Sequence, residues 1–156
     1  DLCANDMAYR IRCEDDRMIA CLKWGGRSDG ALHTREEINI PVMSTHPNPV
    51  TFEESDVGQD LIRMIGGKQL HPIMDMQIER RRFRIDTQNS LLEVSLDSGL
   101  IVTEKGSDPI CEVEIELFSG DQEDLLKVGK QLEDKYGIVS EKRSKFYRGL
   151  LLLGLK

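Results

Sequence analysis

The chain has 156 residues, the size of one ordinary domain, so one function in one site is expected. Hydrophobic residues make up 39% and charged residues 31%, which allows a packed core but leaves more charge than a plain surface needs. With 28 acidic against 21 basic side chains the net charge is -7; a field of that sign repels phosphate backbones, which excludes a general nucleic-acid or anionic-membrane binder and confines any phosphate chemistry to a locally basic pocket.

The longest apolar run near an end, Leu150 to Leu155, is interrupted by Gly154 and falls far short of the roughly 20 residues of a membrane helix. Asp1 to Met7 lacks the basic and apolar regions of a signal peptide, and a first residue other than Met suggests that the native beginning lies upstream. Cys3, Cys13, Cys21 and Cys111 show no C-x-x-C spacing and fall in strand-like segments. Neither a zinc site nor a disulfide framework is indicated, and reduced thiols in a cytoplasm are the simplest reading.

Met7 to Glu14 alternates strictly, with Tyr9, Ile11 and Cys13 on one face and Arg10 and Arg12 on the other, the period of a strand. Glu14 to Arg17 reads as a hairpin turn, and Met18 to Trp24 as the returning strand. An even loop places Lys23 on the face of Arg10 and Arg12. Gly25 to Gly30 reads as a connector, since it matches neither the P-loop nor the dinucleotide pattern. Leu32 to Val42 is a third strand with Arg35, Glu37 and Asn39 opposed to Ile38 and Ile40. Thr45 to Pro49 is a loop, and Val57 to Ile65 has the spacing of a short helix ended by Gly66-Gly67.

From Met76 the pattern is again of strands: Ile78, Arg80, Arg82 and Arg84 alternate with Arg81, Phe83 and Ile85, and Leu91 to Leu96 follows. Asp97-Ser98-Gly99 reads as a turn and Leu100 to Glu104 as a short strand. Pro109 to Phe118 separates Cys111, Val113, Ile115 and Leu117 from Glu112, Glu114 and Glu116. Asp121 is placed to cap a helix carrying Leu125, Leu126, Val128, Leu132 and Tyr136 and stopped by Gly137, and Ser144 to Leu155 reads as a final strand or tail. About seven strands and two helices without βαβ rhythm imply an antiparallel sheet or barrel with helices outside.

One charged strand face is ordinarily a solvated one. The sorting argues for more: Arg10, Arg12, Lys23, Arg80 and Arg82 concentrate cations, while Glu112, Glu114 and Glu116 stack like charges that repel unless compensated. A hard divalent cation such as magnesium or manganese offers that compensation and also bridges phosphates. Other candidates are weaker. His33, His46 and His71 lack ligand or triad spacing, the Arg80 to Arg84 run alternates within a strand, and Trp24 suits packing under a sheet.

Three segments, Gly30-Ala31-Leu32-His33-Thr34-Arg35-Glu36-Glu37, Pro109 to Asp121 (PICEVEIELFSGD) and Ser144-Lys145-Phe146-Tyr147-Arg148-Gly149, resemble signature segments of the CYTH domain, the triphosphate tunnel metalloenzymes. Tyr9-Arg10-Ile11-Arg12 and Glu93-Val94-Ser95-Leu96-Asp97 fit the same order. The likeness covers essentially the whole chain, residues 1–156 as a single domain, and is greatest to the bacterial inorganic triphosphatases. It implies an α+β, mainly antiparallel fold, an eight-stranded tunnel-like barrel with flanking helices. It further implies that Arg10, Arg12, Lys23, Arg35, Arg80 and Arg82 contact phosphate oxygens, that Glu37, Asp97, Glu112, Glu114 and Glu116 hold metal or balance the basic residues, and that Lys145, Arg148 and Glu93 are catalytic.

The family's opening strand, Glu-x-Glu-x-Lys, has no counterpart before Asp1, and Glu114-Ile115-Glu116-Leu117-Phe118 carries Phe118 where that motif has lysine. The expectation is therefore an N-terminally incomplete domain. Its activity would be metal-dependent hydrolysis of a triphosphate, inorganic tripolyphosphate first and ATP or thiamine triphosphate as further candidates, by a water attacking a terminal phosphorus. The alternatives are a class IV type adenylate cyclase and a non-catalytic polyphosphate- or nucleotide-binding module.

Overall fold

The computed structural model describes residues 2–156 and divides into two units, Asp1–Pro72 and Ile73–Lys156. Each is built on one three-stranded antiparallel sheet, β1-β2-β3 in the first and β4-β5-β6 in the second. The fold is α+β. Among the described residues there are six strands and three α-helices, against the seven strands and two helices expected, and the sheets are two separate three-stranded ladders with no closed barrel among their pairings.

In the first unit, β1 (Ala8–Glu14) and β2 (Arg17–Asp29) meet at the expected turn, with Glu14 paired to Arg17 and Asp15-Asp16 as the loop. The even loop puts Arg10 opposite Cys21 and Lys23 opposite Ala8, so Arg10, Arg12 and Lys23 do share a face. The expected connector at Gly25 to Gly30 is instead part of β2. Gly25 takes φ 62, which admits a bulge between Trp24 and Arg27, and the ladder with β3 (Leu32–Val42) resumes at Arg27 opposite Thr34.

The other face of this sheet is apolar and is covered by the turn Pro49–Phe52 and by α1 (Asp56–Ile65), capped by the Ser55 hydroxyl. Ala20, Leu22, Phe52, Leu61 and Ile65 are buried there, with Tyr9, Trp24, Ile38 and Ile40 packed around them. Tyr9 stands edge-on to Phe52 with ring centroids 5.4 Å apart. This packing gives the sheet one dry face and leaves the charged residues the other.

In the second unit, β4 (Met74–Asp86), β5 (Leu91–Thr103) and β6 (Gly106–Ser119) form a meander. The turn expected at Asp97-Ser98-Gly99 does not exist, because β5 runs straight through it, paired on both sides. Gly99 is needed for approach rather than for turning: a Cβ there would lie 1.8 Å from the Gln77 carbonyl oxygen of β4.

α2 (Gln122–Tyr136) follows β6, with Asp121 at its cap position. The Asp121 side chain makes no capping bond; its N–H instead donates to Ser90 Oγ at 2.8 Å, while the Thr87 and Ser90 hydroxyls each donate to Asp124 at 2.9 Å. The last segment is a helix, α3 (Lys145–Leu153), and not the expected strand or tail. The Ser144 hydroxyl accepts from Tyr147 N–H, Gly154 stops the helix, and a run of leucines between them carries no β-branching that would favour a strand. Among the described residues no helix is long and apolar enough to cross a membrane.

Candidate active site

The register of β4, β5 and β6 builds one charged face in rows. Arg80, Asp97 and Glu112 lie side by side across the three strands, then Arg82, Ser95 and Glu114, then Arg84, Glu93 and Glu116. The residues two positions further along belong to the same face: Ile78, Gly99 and Ile110, followed by Met76, Ile101 and Asp108. α3 packs against that apolar end, since a Cβ on Gly149 would meet Met74 Sδ at 2.5 Å and Ile101 Cγ2 at 3.3 Å.

Docked there, α3 delivers two cations to the acidic rows. Lys145 Nζ lies 2.8 Å from Asp97 Oδ2 and 2.7 Å from Glu114 Oε1, and is also paired with Glu112. One turn later, Arg148 pairs with Glu112 at 3.0 Å and with Asp108 at 2.6 Å. Arg80 holds Asp97 through two bonds of 2.6 Å and reaches Glu114 at 2.6 Å. The like-charge repulsion foreseen for Glu112 and Glu114 is thus relieved by side chains.

The Asp97 side chain is fully buried and that of Lys145 is 9% exposed. Burial opposes ionisation of Asp97, but the bonds from Arg80 and Lys145 outweigh it and hold its carboxyl below the usual range. Burial likewise disfavours the Lys145 ammonium, and the surrounding carboxylates more than offset this, so its pKa is raised. A depressed carboxyl contributes stability that is complete above its unfolded pKa, near 4, and lost as the pH falls through the folded value. The thermal midpoint of the second unit is therefore expected to hold from about pH 7 to about pH 5 and to drop below about pH 4. Thermal unfolding across that range checks this, and a midpoint that rises on acidification would contradict it.

Glu93 is mostly buried and, among the described residues, makes only long ion-pair contacts, 3.7 Å to Arg82 and 3.7 Å to Arg84. Glu116, opposite Glu93, has no ion pair among the described residues. Ser95 was not singled out in the sequence. It is fully buried in the middle row, and its hydroxyl has no hydrogen-bond partner among the described residues. The signal was its position two residues before Asp97, but periodicity assigns a face and says nothing of satisfaction.

The first unit presents a different electrostatic surface. Lys23 pairs with Glu37 at 2.7 Å, and Asn39 donates to the other Glu37 oxygen at 2.8 Å. Although burial opposes it, these bonds keep the Glu37 carboxyl below its usual range. Burial pushes the Cys21 thiol up, only partly offset by Lys23, Arg10 and Arg12. Arg10 and Arg12 make no hydrogen bond or ion pair among the described residues, and Arg12 Nε is buried without a partner. Arg35 lies beside Gly26 in a shallow hollow that Asp6 also lines.

Of the acidic residues expected to hold metal, Asp97, Glu112 and Glu114 come together, each offering an oxygen within 4.8 Å of the others. Glu116 stands one row beyond, and Glu37 belongs to the first unit. Lys145 and Arg148 join the acidic group directly, while Arg10, Arg12, Lys23 and Arg35 lie on the sheet of the first unit. Each unit by itself offers one of two donor sets: the first sheet carries the guanidinium groups of Arg10 and Arg12, and the second carries clustered carboxylate oxygens. These are the two chemistries that a polyanion and a hard cation require.

Residues 1–150 match the CYTH domain. Over 151 residues the chain is 31% identical to the inorganic triphosphatase of Haemophilus influenzae, in an alignment covering 97% of this chain and 42% of that protein. The chain thus spans about two fifths of the length of this curated relative.

Proposed function

The chain belongs to the CYTH domain family, and from that premise we propose that it hydrolyses a triphosphate, with inorganic tripolyphosphate as substrate and magnesium or manganese as cofactor, in the cytoplasm. The observation that carries this reading is the three-carboxylate group Asp97, Glu112 and Glu114 on the sheet of the second unit; the sheet of the first unit, taken by itself, carries Arg10 and Arg12, which make no hydrogen bond or ion pair among the described residues. The name of the Haemophilus relative supports the reaction class. On this reading residues 1–156 act as a single domain of the tunnel-like barrel kind that the family resemblance implies.

Arg10, Arg12, Lys23, Arg35 and Arg82 hold the phosphate oxygens by charge-assisted hydrogen bonds, and Arg80 fixes Asp97 and Glu114 in place. The donor chemistry of Asp97, Glu112 and Glu114 suits a hard divalent cation, with Glu116 one row away on the same sheet and Glu37, on the sheet of the first unit, as further carboxylates for metal. Such a cation supplies charge neutralisation at the phosphate oxygens and eases ionisation of water. Glu93, weakly engaged and mostly buried, receives the proton of the attacking water. Lys145 and Arg148 stabilise the charge that gathers on the terminal phosphoryl group.

In the reaction, the water oxygen forms a bond to a terminal phosphorus, the bridging P–O bond breaks, and tripolyphosphate plus water become pyrophosphate, orthophosphate and a released proton. No covalent nucleophile is needed. The purified protein is expected to release orthophosphate from tripolyphosphate only when magnesium or manganese is added. No release from tripolyphosphate, or cyclic AMP as the main product from ATP, would overturn the proposal.

A further inference from the structure

The three carboxylates whose oxygens cluster within 4.8 Å are the same three that surround one ammonium, that of Lys145. An ammonium and a divalent cation cannot share that position, because both need the same oxygen lone pairs and repel each other at such range. With Arg80 and Arg148 also present, the three carboxylates already face three cations. One polar group of the site stays unused: the buried Ser95 hydroxyl, opposite Glu114 and two residues from Asp97, satisfied by neither Lys145 nor Arg80. A buried hydroxyl without a protein partner is free to bond a ligand atom, such as a water accompanying a cation.

We propose that the Asp97–Glu112–Glu114 position is a site with two alternative occupants, the tethered Lys145 ammonium and a divalent cation, and that Lys145 therefore sets the threshold for cation binding. The inference rests on the functional reading above for the identity of the cation, and adds that binding requires Lys145 to leave. A monovalent ion brings no more charge than the ammonium it would replace, whereas a divalent ion does, so the exchange selects by charge. Lys145 is the first residue of α3, directly after the Ser144 cap. Its ion pairs anchor the first turn of that helix to β5 and β6, so its departure removes that anchor, and once free of carboxylates the ammonium is available to a phosphate oxygen.

The test measures binding of Mn²⁺ alone to the purified protein by electron paramagnetic resonance, with hydrogen exchange across residues 144–153 followed in parallel. Lys145→Met, which keeps length and removes charge, is expected to tighten Mn²⁺ binding by about tenfold or more, because a competitor at high effective concentration is gone. In the wild type, saturating Mn²⁺ is expected to accelerate exchange in the first turn of α3. Unchanged or weaker binding by the variant would overturn the proposal, and so would unchanged wild-type exchange, which decides the matter by itself if the variant does not fold. A wild type that shows the exchange response but leaves tripolyphosphate intact would sink the hydrolase reading and leave the two-occupant site standing.

Discussion

Asp97→Asn is expected to lower the stability of the second unit by about 3–5 kcal/mol, the cost of breaking a buried ion pair by removing one partner. The side chain is fully buried, accepts two bonds from Arg80 and is paired with Lys145, itself 9% exposed. Asparagine keeps the shape but presents one donor where two acceptors are required. It would leave the Arg80 guanidinium and the Lys145 ammonium partly desolvated with less anion to face. Arg80 is about one fifth exposed and can recruit water, which argues for the lower part of the range. Chemical denaturation of the variant against the wild type measures the difference. A loss below about 1 kcal/mol, the value of an exposed pair, would mean that the network is solvated and that the carboxylate is not structural.

That network also shows where the sequence stops being legible. Alternation correctly assigned the faces of β1, β4 and β6, because a half-buried strand must repeat every two residues. The two-residue turn at Asp15-Asp16 then fixed Lys23 beside Arg10 and Arg12. Two glycine segments misled for one reason: turn chemistry and bulge or close-approach chemistry use the same residue. Gly25 makes a bulge inside β2, and Gly99 lets β5 lie close against β4.

The largest miss was α3. Its helical period is hidden by Leu150 to Leu153, a run that satisfies any period, and only Ser144 and Gly154 mark its ends. Because the helix was not foreseen, neither was the agent that neutralises the glutamates. Residue types on β6 showed that compensation was needed, but not that an ammonium from a later element would supply it. Whether a buried hydroxyl such as Ser95 finds a partner depends on side chains from several strands at once, which no local pattern encodes.

The second large effect concerns Arg12, and it has the opposite signature to that of Asp97. Arg12→Ala is expected to leave the first unit as stable as before or slightly more so, because Arg12 makes no hydrogen bond or ion pair among the described residues and its buried Nε is unsatisfied. Arg12 stands next to Arg10 on the sheet face that also carries Lys23, so its removal relieves like-charge repulsion as well. Such a group is an asset only when an anion arrives. A charge-assisted bond contributes on the order of 1.5 to 3 kcal/mol, so the affinity for tripolyphosphate should fall by roughly ten- to a hundredfold. Adding magnesium or manganese should not restore it, since the lost contact is to phosphate and not to metal. Glu116→Gln, which removes an oxygen donor, should instead be partly rescued by more metal. Arg12→Lys keeps the charge but loses the planar fork and should fall between wild type and alanine. Calorimetric titration of tripolyphosphate at several metal concentrations, with thermal unfolding of the same samples, separates these cases. Unaltered affinity in Arg12→Ala, or a drop in stability that accounts for the lost binding, would show that this cation faces water and that the substrate assignment for the first sheet is wrong.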